Sequence, residues 1–82
     1  MYYTYVLLSD RDKKLYIGWT IDLKERVQKH NGGYVFATKN RRPFKLVYYE
    51  ACLIKELAIE REKQLKTGFG RAYLKRRLEL MV

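Results

Sequence analysis

The chain has 82 residues, with 18 Lys and Arg against 9 Asp and Glu, a formal charge of +9. That length predicts one domain, residues 1–82, which buries roughly 60–65% of the surface its unfolded chain exposes. A hydrophobic fraction of 48%, one proline, five glycines and one cysteine (Cys52) exclude a disordered basic tail, a collagen-like repeat, an internal disulfide and a Cys/His zinc cluster.

Tyr2–Leu8 and Leu15–Trp19 are rich in β-formers and flank the polar run Ser9-Asp10-Arg11-Asp12-Lys13-Lys14, which predicts a β-hairpin. With a turn of Ser9–Asp12, Leu8 faces Lys13 and Tyr5 faces Tyr16, their Cβ atoms ~5 Å apart on one side of the sheet. The apolar opening Met1–Leu8 has no basic leader and meets charged residues at once, and no run approaches 18 apolar residues. Neither a secretion signal nor a membrane span is expected, which leaves the cytoplasm as the expected location.

Asp22 is a good helix N-cap, and Glu25 completes a capping box. Leu23 and Val27, one turn apart, are expected to face the core, and Asn31-Gly32-Gly33 ends the helix. Arg26 and His30 share one edge of it. Tyr34–Pro43 reads as an ordered loop with basic tips at Lys39, Arg41 and Arg42, and Phe44–Glu50 as a third strand. From Leu53 to Lys66 the period becomes helical, with Ile54, Leu57, Ala58 and Leu65 on one face, Arg61 within that face and Glu62 on its border. Thr67-Gly68-Phe69-Gly70 breaks the chain, and a last basic helix, Arg71–Leu80, points Tyr73, Leu74 and Leu78 inward. The order β-β-α-β-α-α predicts an α+β fold, a three-stranded antiparallel sheet flanked by helices.

The charge implies a polyanionic partner, of which nucleic acid is the commonest. Fourteen of the 18 basic residues lie in two windows, one from Lys24 to Lys45 and one from Arg61 to Arg77. Neither forms a long amphipathic helix with an aromatic face, so a membrane surface ranks below nucleic acid.

Two tyrosines, an arginine, a histidine and a glutamate each suit phosphodiester cleavage. Arg26 offers a planar fork to a phosphate and to the charge that builds on it. Glu62 is a hard oxygen ligand of the kind Mg²⁺ prefers. Tyr5, Tyr16 or His30 can accept a proton from an activated water. Singly, each has an ordinary structural explanation: a cross-strand aromatic pair, a surface arginine, a histidine favoured by a helix C-terminus, or a Glu62–Lys66 surface ion pair.

Together they resemble the GIY-YIG endonuclease superfamily. Tyr3-Thr4-Tyr5 stands at the first half-motif, without its Gly and Ile, and Tyr16-Ile17-Gly18 matches the second. Gly18-Trp19-Thr20-Ile21-Asp22-Leu23, followed by Arg26 and His30, is similar to G-x-T-x-D-L-x-x-R-x-x-x-H. The spacings of 11, 10 and 4 residues along Tyr5, Tyr16, Arg26 and His30 are those of the family. Ala58–Lys66 resembles A-x-x-R-E-x-x-L-K, with Glu62 at the metal-binding glutamate. Thr38–Leu46 resembles the T-x-x-R-R-P-x-K-L loop of the small stand-alone bacterial members. Leu74 stands where some members carry a further polar residue.

The resemblance implies a metal-dependent DNA endonuclease of low sequence specificity, working in repair or recombination. Tyr5, Tyr16, Arg26, His30 and Glu62 would be its catalytic residues, and Glu62 would hold Mg²⁺ or Mn²⁺. Branched or flapped DNA is the substrate that the resemblance favours, with RNA a further candidate. Phosphate contacts are expected from Lys39, Arg41, Arg42, Arg71, Lys75, Arg76 and Arg77, and from the amides near Gly70-Arg71. Two other readings are a non-catalytic nucleic-acid-binding module on the same scaffold and a module whose basic faces dock an acidic protein partner.

Overall fold

A computed structural model describes residues 1–79. Its elements are β1 (Tyr2–Ser9), β2 (Leu15–Thr20), α1 (Leu23–Asn31), a 3₁₀ turn (Lys39–Arg41), β3 (Phe44–Cys52), α2 (Lys55–Leu65) and α3 (Gly68–Arg77). The fold is α+β in the expected order. The sheet is antiparallel throughout with β1 in the centre, in the order β2-β1-β3. α3 ends at Arg77 with Leu78 as its C-cap, short of the expected end at Leu80, which itself lies outside the described residues.

The hairpin register differs from the expected one. Tyr5 lies opposite Gly18, Leu7 opposite Tyr16 and Leu8 opposite Leu15. Ser9 is the cause: its Oγ accepts the amides of Arg11 and Asp12 at 3.1 Å each and donates to the Arg41 carbonyl at 2.6 Å. These bonds favour a longer loop, closed by Ser9 N–H to Lys14 O at 3.0 Å with Lys13 at φ 62. The shift is two residues, so each side chain keeps its face. Tyr5 and Tyr16 remain on one side as diagonal neighbours, with ring centroids 6.5 Å apart.

β1 is buried on both faces. Val6 and Ile17 pack with Leu65, Leu74 and Leu78 beneath α2 and α3. Tyr5, Leu7 and Phe44 pack on the other side with Tyr16, Leu23 and Val27. Asp22 caps α1 as expected, its carboxylate accepting from Glu25 N–H at 3.1 Å, but the expected capping box does not close: Asp22 N–H donates to Thr20 Oγ1 at 3.2 Å and Glu25 pairs with Lys29; the helix ends at Gly32.

α2 is rotated from its expected setting. Ala58 and Leu65 are buried, while Ile54 and Leu57 are each 51% exposed. Ile54 is the N-cap and precedes the helix. Leu57 is turned about 100° from Ala58 one way, and Glu62 only about 40° the other way, toward the sheet. The Thr4 hydroxyl donates to the Ala58 carbonyl at 2.8 Å and fixes this setting.

α3 starts three residues before the expected Arg71. Thr67 is its N-cap, and Gly68-Phe69-Gly70 form the first turn rather than a break. Gly70 N–H donates to Thr67 Oγ1 and Arg71 N–H to Thr67 O, so the amides expected to meet phosphate are used by the cap. A Cβ on Gly70 would stand 2.2 Å from Gln64 O and 2.4 Å from Leu65 Cα, so only glycine lets α3 fold back this closely on α2. Leu74 is fully buried, which is why no polar group stands there.

Candidate nuclease site at the β2 edge

Tyr5 reaches across its own face toward the edge strand. Gly18, directly opposite, has no side chain; a Cβ there would lie 2.6 Å from the Tyr5 hydroxyl and 2.8 Å from Cζ. The half-motif glycine therefore makes the space into which the phenol projects.

α1 brings Arg26 and His30 to that phenol, because the Asp22 cap and the glycine stop fix its length and rotation. The Tyr5 hydroxyl lies 2.8 Å from His30 Nε2, and Arg26 Nε donates to it at 3.3 Å. His30 Nδ1 is 2.7 Å from Thr38 Oγ1, whose hydroxyl points to the Val35 carbonyl at 3.5 Å. Arg26 Nε already donates to the Tyr5 oxygen, so the arrangement that gives each proton here an acceptor has Thr38 accepting from Nδ1–H. Nε2 is then the acceptor, and Tyr5 donates to it. The Tyr16 ring packs against the His30 ring, centroids 5.0 Å apart and planes inclined by 60°.

The electrostatics follow from enclosure. Tyr5 and His30 are fully buried. Burial holds the Tyr5 phenol above its ordinary pKa, with the charges of Tyr16 and Glu62 adding to the rise and Arg26 opposing it. Burial, and then the Arg26 cation, push His30 down to about 4, so the imidazole is neutral at pH 7. Tyr16 and Arg26 are only half-buried and form the open side of the cluster.

The structure thus joins Tyr5, Tyr16, Arg26 and His30. Glu62 comes from the other side of the sheet. α2 packs on β1 and β2, and the Glu62 charge is felt at the Tyr5 phenol, but its carboxylate makes no hydrogen bond with the other four. Its Oε2 accepts from Lys66 Nζ at 2.8 Å, and the side chain is 17% exposed. No group of three His, Cys, Asp or Glu side chains clusters as a metal site among the described residues.

The basic residues divide. Arg41 is bound to Asp12, donates to the Lys14 and Leu15 carbonyls and lies over the Phe44 ring, so its guanidinium holds the hairpin rather than facing a phosphate. Arg42 donates through Nε to Lys39 O at 2.8 Å and is otherwise exposed beside Lys39. Lys75 and Arg76 are exposed on α3, and Arg71 lines a groove with Lys13, Lys14, Lys66 and Lys75. Arg77 leans on Tyr73, donating to its hydroxyl at 3.3 Å.

Two contributors were not read from the sequence. Thr38 fixes the His30 tautomer; its only signal was its place at the head of the basic loop stretch. Asn31 clamps α1 to β3, donating to Phe44 O at 3.1 Å and accepting from Phe44 N–H at 2.7 Å.

A GIY-YIG catalytic domain profile matches residues 1–77. The chain is 44% identical over 66 residues to a UPF0213 protein of Syntrophus aciditrophicus, covering 78% of this chain and 75% of that one. It is 42% identical over 67 residues to a UPF0213 protein of Clostridium perfringens, covering 80% and 71%. The solution NMR structure of a UPF0213 protein of Bacillus halodurans matches with a TM-score of 0.54 at 33% identity, covering 90% of this chain and 82% of that one. A profile spanning nearly the whole chain, relatives above 40% identity and a matching fold together place this protein in the GIY-YIG catalytic-domain family, a nuclease-type superfamily, within its small UPF0213 branch.

Proposed function

We propose that this protein is a divalent-metal-dependent DNA endonuclease that hydrolyses phosphodiester bonds with little regard to sequence and serves repair or recombination. The observation that carries the reading is the hydrogen-bonded run from Arg26 through Tyr5 to His30, with the Tyr16 ring packed against the imidazole.

Glu62 fits a hard cation. Its Oε2 is shared with Lys66, while Oε1 has no protein hydrogen-bond partner among the described residues. One carboxylate is enough for Mg²⁺ or Mn²⁺ when water and substrate phosphate supply the other ligands. When bound, the metal supplies positive charge beside the scissile phosphate and eases departure of the leaving oxygen.

The remaining chemistry belongs to the chain. Arg26 spends Nε on Tyr5, which fixes the guanidinium plane and leaves its two terminal nitrogens for a phosphate. Tyr16, the more open phenol, orients the attacking water and, once it has lost its own proton to solvent, takes the proton of that water as its phenolate. Tyr5 and His30 are enclosed, so they act as positioning residues: neutral Nε2 holds the Tyr5 proton, and the Tyr5 oxygen holds Arg26. The exposed Lys39, Arg42, Lys75 and Arg76 grip the DNA backbone, which makes binding salt-sensitive.

The test is nicking of supercoiled plasmid. Cutting with Mg²⁺ or Mn²⁺ and none with EDTA supports the reading. The rival, a nucleic-acid-binding module without catalysis, is favoured by the enclosure of Tyr5 and His30. A protein that retards DNA in a gel yet leaves linear, flapped and four-way substrates intact with every metal establishes that rival.

A further inference from the structure

We propose that the cleft where the end of β2 meets the start of α2 is a subsite for one unpaired nucleobase, adjacent to the phosphate that Arg26 holds. The inference deepens the nuclease reading by naming a part of its substrate, and it rests on that reading for the position of the phosphate alone.

The cleft has a volume of about 460 Å³ and is lined by Tyr2, Trp19, Thr20, Ile21, Arg26 and Lys55. That volume lies within the roughly 300–1,000 Å³ typical of small-ligand sites. Its lining holds two aromatic rings and two cations, with no carboxylate. Tyr2 and Trp19 are half-exposed, so ring surface is available to a ligand. Lys55 Nζ lies 5.5 Å from the Trp19 ring centroid and sets a positive charge at the ring face. Arg26 belongs to this cleft and to the Tyr5–His30 cluster at once.

This composition matches a nucleotide. A base stacks on an aromatic face whatever its identity, and nearby cations take its phosphates. A paired base has its faces covered by its neighbours in the duplex, so the cleft selects an unpaired or extruded one. The other large grooves are built differently. The one between the hairpin and α3 sets Lys13, Lys14, Lys66, Arg71 and Lys75 over an aliphatic floor, which suits phosphate without stacking. The one beside α1 offers Tyr3 and Tyr49 but contains Asp22 and a single cation, Lys24. The position along α2 also fits. Lys55 and Glu62 are seven residues apart on one stripe, about 10 Å along the helix axis, so base and metal would sit on the same edge.

Trp19 is the only tryptophan in the chain, so its fluorescence reports on the cleft directly. The experiment titrates the full-length protein in EDTA, where no cutting occurs, with a single-stranded DNA oligomer, the same oligomer made abasic, and a blunt duplex of equal length. The inference expects the base-containing strand to quench Trp19 and bind about tenfold more tightly than the abasic strand. Trp19→Leu should weaken binding of the base-containing strand by about the same factor and leave the duplex and the salt slope unchanged. Trp19→Phe should recover most of the loss.

Equal affinity and equal quenching with abasic and base-containing strands would overturn the subsite. So would a Trp19→Leu protein that weakens duplex and single strand alike. If Trp19→Leu fails to fold by circular dichroism, the abasic comparison on the unmodified protein decides alone. Base-dependent quenching without any plasmid nicking would retain the subsite and remove the nuclease reading; nicking without base-dependent binding would do the reverse.

Discussion

The Tyr5 hydroxyl and His30 Nε2 lie 2.8 Å apart, joining the central strand to a helix residue 25 positions away inside a fully enclosed space. This bond orders the site from behind: it fixes the phenol, the phenol fixes Arg26, and Arg26 and Tyr16 face outward. Tyr5→Phe removes the hydroxyl and leaves Nε2 without its donor. A loss of about 1–3 kcal/mol in urea unfolding is expected. Nicking should slow through kcat, with little change in DNA affinity, because Arg26 keeps its charge and loses its orientation. A large fall in affinity at unchanged kcat would contradict this placement.

Acid should act through the same histidine. Its folded pKa of about 4 lies below the 6.5 of the unfolded chain. The unfolded state therefore binds the proton more readily, and stability falls as pH drops from about 6.5 toward 4. The contribution is present in full above pH 6.5 and is of the order of 2–3 kcal/mol. Asp12 titrates lower, because its bond to Arg41 holds it down at about 2, so its part is lost only in stronger acid. Thermal unfolding across pH 2–7 for wild type and His30→Gln separates the two. The mid-range slope should flatten in the variant while the acid-side slope remains.

Gly18→Ala tests the space beneath the phenol. Its methyl group would lie 2.6 Å from the hydroxyl of a ring that cannot swing into solvent. A cost of about 1–3 kcal/mol is expected from overpacking. The ring must shift, so the hydroxyl resonance or exchange protection of Tyr5 should change with it. Gly68→Ala, where an added Cβ meets nothing within 4 Å, is the matched control and should be close to neutral in packing.

Thr38→Val removes the acceptor for His30 Nδ1–H and keeps the shape of the side chain. A buried donor is left unpaired, at a cost of about 1–3 kcal/mol. The histidine is also freed to adopt its other tautomer, which ¹⁵N chemical shifts of the ring read directly. A ring still protonated at Nδ1 would show that Thr38 does not set it.

Elements with local punctuation were legible in the sequence. Asp22 with Glu25 marked the start of α1 and Gly32 its end, because capping is decided within one turn of chain. Features set by distant partners were not. The hairpin register turns on Ser9, whose hydroxyl is claimed by Arg41 from 32 residues away. The rotation of α2 follows from partners that periodicity cannot encode: Thr4 bonds the Ala58 carbonyl, Arg61 pairs with Glu50, and Glu50 accepts from Tyr48, which bonds Tyr73. Within the site, spacing located Tyr5, Tyr16, Arg26 and His30. It did not reveal that two of them are sealed from solvent, since that depends on an absent side chain at Gly18 and on Thr38 closing the far side.

In the proposed mechanism Glu62, carried on the opposite layer, completes this cluster as its metal ligand. Single-turnover cleavage of a plasmid by wild type and Glu62→Gln in Mg²⁺ tests it most directly, with metal-free DNA binding measured alongside. Glu62→Gln should lose cleavage by about a thousandfold or more, a few kcal/mol of transition-state stabilisation, while DNA affinity in EDTA is unchanged or slightly higher. Cleavage by Glu62→Gln at the wild-type rate would contradict it.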